Sequence, residues 1–228
     1  MENVRFTKYI FDFDGTIMDT KEDVWVSIGY ACTRSGYELH DNFRSNPVNL
    51  SLGIREIFEI VSSGKDPDGF ENFNSLLTHH YRELNDFRFS CLYPHMDQLL
   101  SFLTETGRTR IIVSNKPLPP LLKILDRHNL TRCFDAVHST DTPASPSIPK
   151  SSILKQIAQG QPEDCVYIGD SFTDVLASKE NHICSVGVLY GDGDQELLKN
   201  ARPDYLVSSS AELFDLVMSW ESSSAASN

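Results

Sequence analysis

The chain has 228 residues, with 32 Asp and Glu against 20 Lys and Arg, a formal net charge of -12 and a sequence pI near 4.9. This length accommodates one sizeable domain, or a main domain carrying a smaller insert. The acidic balance argues against nucleic acid or an acidic membrane as a partner, because both require clustered positive charge, and leaves small molecules.

In chain order, the first apolar run, Tyr9 to Phe13, predicts a buried strand carrying Phe11-Asp12-Phe13-Asp14-Gly15-Thr16 at its end. Residues two apart on a strand share a face, so Asp12 and Asp14 are expected to point together while Phe11 and Phe13 enter the core. Carboxylates at the C-terminal end of a strand stand where open α/β sheets hold ligands, and a divalent cation relieves their repulsion. Gly15 permits the sharp turn that ends the strand and is expected to expose N–H groups to an anion. From Thr20 to Tyr93 the pattern becomes helices with polar connections, which predicts an all-helical insert, opened by a capping box at Thr20 and Asp23.

Beyond it, strands are predicted at Arg110 to Ser114, Ala136 to Ser139, Val166 to Gly169, Ser185 to Leu189 and Tyr205 to Val207. Helices are predicted near Leu118 to His128, Ser151 to Gln159, Thr173 to Glu180 and Ala211 to Trp220. The expected fold is α/β, a Rossmann-like parallel sheet core (1–19 and 94–220) with an inserted helical domain (20–93) and a disordered Ser/Ala-rich tail (221–228).

Three further segments carry chemistry. Ser114 ends the second strand, where its hydroxyl can donate to a phosphate oxygen, although Ser114-Asn115 is also an ordinary turn. Lys150 opens a helix whose N-terminus favours anions, and is equally an ordinary surface lysine when taken alone. Asp170 and Asp174 lie four apart after the strand ending at Gly169, hard oxygen donors suited to Mg²⁺, with helix capping as the bland alternative for Asp174.

In their order and separations these four pieces resemble the haloacid dehalogenase-like phosphohydrolases, from about Tyr9 to Val188. The family's D-x-D-G-T is present in full at Asp12 to Thr16, its Ser or Thr is Ser114, and its G-D-x-x-x-D is Gly169 to Asp174. Its lysine is best matched by Lys150, although relatives often have Lys-Pro where this chain has Pro149-Lys150; Lys116, in Asn115-Lys116-Pro117, competes. The insert resembles the helical cap of phosphoglycolate-phosphatase-like members.

The resemblance implies a Mg²⁺-dependent phosphatase. Asp12 is its nucleophile, Asp14 its acid/base, and Lys150 the lysine that neutralises phosphate. It further implies Mg²⁺ on Asp12, the Asp14 carbonyl, Asp170 and Asp174, with phosphate held by Gly15, Thr16, Ser114 and Asn115. Arg55, in Leu52-Gly53-Ile54-Arg55-Glu56, is the expected substrate-selecting residue of the insert, or else an exposed helix residue paired with Glu59.

A β-phosphoglucomutase-like phosphosugar mutase is the alternative activity, and a non-enzymatic receiver-like or partner-binding protein a more remote one. The expected partner is a small phosphate ester, with no nucleic acid or membrane, for a monomer or homodimer. Five widely spaced cysteines without a metal pattern, and an N-terminus unlike a secretion leader, indicate a cytoplasmic protein. Gly191-Asp192-Gly193 reads as an ordinary loop after a strand, and His79-His80 as surface or interhelix residues.

Overall fold

The computed structural model describes residues 6–46, 49–50, 52–142 and 145–225. Two compact units make up the chain, Met1–Asp19 with Cys91–Asn228 and Thr20–Ser90. In chain order the elements begin with β1 (Lys8–Phe11), β2 (Met18–Asp19), α1 (Lys21–Ser35), α2 (Asp41–Arg44), α3 (Ile54–Val61), α4 (Phe70–His79) and a π-helical turn at His80–Leu84. They continue with β3 (Cys91–Leu92), α5 (Met96–Glu105), β4 (Thr109–Ser114), α6 (Leu118–Arg127), β5 (Ala136–Ser139), β6 (Asp141–Thr142) and β7 (Ser145–Pro146). Last come α7 (Lys150–Ala158), β8 (Cys165–Gly169), α8 (Phe172–Glu180), β9 (Cys184–Val188), α9 (Gln195–Asn200), β10 (Tyr205–Val207) and α10 (Ser210–Ala225).

Six strands form one sheet in the order β10-β9-β8-β1-β4-β5, every pairing parallel. The fold is α/β, as the near-continuous apolarity of these strands predicts, since helices cover both faces of a parallel sheet. Alternation along β1 divides its side chains between the layers. Ile10 packs with Ile111, Val113, Ile153, Leu154 and Tyr167, whereas Tyr9 meets Phe6 and Trp220. The chain runs outward from β1 on one side through β4 and β5 and on the other through β8, β9 and β10. That reversal makes β1 the topological switch point, where a crevice opens beyond the strand ends.

The first strand is shorter than predicted. Asp12 keeps one ladder bond, its N–H to Ile168 O at 2.8 Å, after which the chain folds into a tight turn closed by Gly15 N–H to Met18 O at 2.9 Å. Pairing of β2 with β3 joins the two places where the chain leaves and re-enters the first unit. The predicted disordered tail is helical through Ala225, because Glu221 accepts hydrogen bonds from Tyr9 and Arg108; residues 226–228 lie outside the described residues.

The second unit packs α1, α3 and α4 around Trp25, Ile28, Phe58, Phe73 and Leu77. The capping box expected at Thr20 and Asp23 does not form. Asp23 is buried and accepts bonds from Phe89 N–H at 3.1 Å and Ser90 Oγ at 2.7 Å, so it ties the start of this unit to its end. His80 is an interhelix residue, stacked on Tyr30 with Nδ1 3.0 Å from Ser27 Oγ. Among the described residues no helix is long and apolar enough to cross a membrane. Replacing Asp23 with Ala strands two donors and is expected to cost about 1–3 kcal/mol in urea unfolding; an unchanged midpoint would show that the tie is dispensable.

Candidate active site

The ends of β1, β4 and β8 lie side by side, and each delivers part of one polar cluster. Asp12, one residue past β1, is buried, and its Oδ1 accepts from Phe13 N–H at 2.7 Å. Lys150, at the start of α7, donates from Nζ to Asp12 Oδ2 at 2.8 Å and to Asp174 Oδ1 at 2.6 Å. Asp174 also caps its own helix, accepting from Ser171 N–H at 3.1 Å, so the bland role and the site role coexist. Asp170, just past β8, accepts from Asp192 N–H at 2.7 Å and Gly193 N–H at 2.9 Å.

Oxygens of Asp12, Asp170 and Asp174 lie within 4.8 Å of one another, all three residues buried. Three carboxylates face one ammonium there, a surplus of two negative charges that a divalent cation balances. Burial, opposed by attraction to Lys150, pushes Asp12 up to about 6. Burial and the repulsion of Asp12 and Asp174 push Asp170 up to about 7, against the two backbone N–H bonds it accepts. For Lys150, burial alone favours the neutral amine, but Asp12 and Asp174 more than reverse it and keep the ammonium charged. A hard cation with all-oxygen ligands fits this donor set.

The other predicted residues are placed as follows. Asp14 stands outside the trio, its Oδ1 2.8 Å from Lys116 Nζ. The lysine side chain is 1% exposed and that of Asp14 36%. Both competing lysines therefore reach the cluster, on different carboxylates. Ser114, buried at the end of β4, accepts from Lys116 N–H at 3.2 Å, a bond that does not use its own hydroxyl proton. Asn115 is exposed, with Oδ1 accepting from Thr140 Oγ1 at 3.2 Å.

Gly15 and Thr16 differ from expectation. Their N–H groups turn inward, Gly15 to Met18 O and Thr16 to Phe13 O at 3.4 Å, because closing so tight a turn consumes them. Gly15 is needed for space instead: its φ is +73° and a Cβ would sit 2.1 Å from Asp170 Oδ2. Arg55 belongs to α3 of the second unit, its guanidinium 3.8 Å from the Phe70 ring centroid. With Phe58, Glu59 and Asp66 it lines a cavity of about 310 Å³.

Sequence reasoning missed three contributors. Tyr167 Oη lies 2.9 Å from Val113 O and 3.1 Å from Asp174 Oδ1, a phenol within a strand read as nearly continuously apolar. Gly191-Asp192-Gly193 holds Asp170, and a Cβ on Gly193 would meet Asp170 O at 2.1 Å. Lys116, treated only as a rival for the phosphate lysine, serves Asp14.

The family model described as haloacid dehalogenase-like hydrolase matches residues 9–188, and the chain belongs to that family as an enzyme of the phosphatase type. It is similar to a protein named phosphoglycolate phosphatase from Vibrio vulnificus (strain YJ016), 26% identical, with 91% of this chain and 94% of that protein covered. It is also similar to one named 5'-nucleotidase from Pseudomonas aeruginosa, 25% identical, covering 92% and 95%. A crystal structure from Clostridium difficile shares the fold with a TM-score of 0.81 at 21% identity, over 93% of this chain and 98% of that one.

Gly107, with φ +69° and nothing within 4 Å of an added Cβ, provides a control for Gly15. Both Ala variants incur backbone strain of about 1–3 kcal/mol. Only Gly15→Ala should go beyond it in thermal unfolding, through its collision with Asp170; equal losses would contradict the close approach.

Proposed function

We propose that this protein is a Mg²⁺-dependent phosphatase that hydrolyses small phosphate monoesters through an aspartyl phosphate on Asp12. The observation that carries the reading is the buried Asp12, Asp170 and Asp174 trio, tied on one side by Lys150 and short of two positive charges. Relatives named phosphoglycolate phosphatase and 5'-nucleotidase support a small organic phosphate as substrate, and five free cysteines support a reducing, cytoplasmic setting.

Asp12, Asp170 and Asp174 would hold the Mg²⁺, with the Asp14 carbonyl as a further ligand. When bound, the ion offsets the repulsion between an anionic nucleophile and an anionic substrate. An Asp12 oxygen attacks phosphorus in line with the leaving oxygen; that phosphorus–oxygen bond breaks and Asp14 gives the departing oxygen its proton. Asp14, now a carboxylate, takes a proton from water as the water oxygen attacks the phosphorus, releasing inorganic phosphate and restoring Asp12. Lys150 stays charged throughout and keeps Asp12 aimed. Ser114 and Asn115 are assigned to the non-bridging oxygens of the phosphoryl group.

The test is phosphate release from a panel of small esters, with Mg²⁺ and with metal chelated. Asp12→Asn should lose at least about 10³-fold in kcat, and chelation should abolish turnover. Release that survives either change would overturn the reading, and an isomeric sugar phosphate without free phosphate would replace it with a mutase. Arg55 is proposed to select the substrate, so Arg55→Ala should reorder the panel without abolishing release. A uniform loss on every ester would remove that role.

A further inference from the structure

We infer that Lys116 is a positioning residue for the proton-transferring Asp14, distinct from Lys150, which serves the nucleophile; the inference rests on the phosphatase reading above. Among the described residues the two ammonium groups bond different carboxylates. Lys150 Nζ bonds Asp12 and Asp174, whereas Lys116 Nζ bonds Asp14 at 2.8 Å.

The exposure of the pair is lopsided. A surface ion pair with two mobile partners contributes little, because both side chains lose rotamer freedom. Here the lysine side chain is 1% exposed, while Asp14 is 36% exposed on the side open to solvent. The lysine backbone is fixed as well: its N–H donates to Ser114 Oγ at 3.2 Å and its carbonyl accepts from Ser139 Oγ at 2.7 Å. Ser139 Oγ lies 2.8 Å from Asp141 O and accepts from Asp141 N–H at 3.0 Å, so the ends of β4 and β5 brace one loop. A buried, braced ammonium thus holds one oxygen of a partly exposed carboxylate, and a general acid limited to few orientations spends more of its time aligned with the leaving oxygen.

This predicts a signature that depends on the leaving group. Proton donation matters when the departing oxygen is a poor leaving group, an alkoxide, and little when it is a good one, a nitrophenolate. The constant kcat/KM covers the steps through departure of that oxygen and excludes hydrolysis of the aspartyl phosphate. Lys116→Ala should therefore lower kcat/KM about 10- to 100-fold on an alkyl phosphate, and several-fold less on 4-nitrophenyl phosphate. Lys116→Arg, which keeps a charged donor, should recover most of the loss on the alkyl ester. Adding Lys116→Ala to Asp14→Asn should cost nothing further there, because the group being positioned is already gone.

Thermal unfolding of each variant identifies loss of fold, and Lys116→Met, which keeps the length of the side chain without its charge, carries the same ester comparison if Lys116→Ala fails to fold. Equal losses on both esters would overturn the inference in favour of a phosphate-binding lysine, and so would a full additional loss in the Asp14→Asn background. Failure of the wild-type protein to release phosphate from either ester would instead remove the phosphatase reading itself.

Discussion

Burying three carboxylates at the meeting point of three strands is the constraint on which the rest of the structure depends. Asp12, Asp170 and Asp174 cannot all remain charged in a dry site without compensation, and Lys150 supplies only one positive charge. The fold spends many of its polar groups on this cluster. Two N–H groups of the 191–193 loop serve Asp170, and the Ser171 N–H and the Tyr167 hydroxyl serve Asp174. The remaining deficit fits the cluster to a divalent cation, and in the proposed function such a cation would suit Asp12 to attack on a phosphate ester.

The sheet order explains why these groups meet. With β1 flanked by β4 on one side and β8 on the other, residues far apart in sequence leave adjacent strand ends at the same height. Asp12, Ser114 and Asp170 arrive this way, and the helices after the strands bring Lys150 and Asp174. The second lysine, Lys116, enters from the loop after β4 and bonds Asp14, while Lys150 bonds Asp12. Close packing of the loops then demands glycine where one chain crosses another, at Gly15 and Gly193.

Much of this was legible before the structure. Buried parallel strands announce themselves as short apolar runs, and the runs at Ala136–Ser139 and Tyr205–Val207 match the observed bounds. Carboxylates directly after such runs marked Asp12, Asp14, Asp170 and Asp174. What stayed hidden depends on long-range partners. Nothing local shows that Asp23 reaches Phe89 and Ser90 instead of capping α1, or that Glu221 finds Arg108 and Tyr9 and so extends the last helix. The inward turn of the Gly15 and Thr16 N–H groups follows from closure of the 13–18 turn. The importance of Gly191 to Gly193 follows from the close approach of Asp170, which a glycine-counting rule cannot anticipate.

We propose that the carboxylate trio binds a divalent cation in competition with protons. Burial raises Asp12 and Asp170 above the usual carboxylate range, so protons compete with a cation for their oxygens. Calorimetric titration of the metal-free protein with Mg²⁺ in two buffers of different ionisation enthalpy reads this directly. The expected result is one ion per chain, proton release on binding, affinity that falls as pH falls, and loss of binding in Asp170→Asn. Absence of Mg²⁺ binding, or binding indifferent to both pH and Asp170, would contradict it.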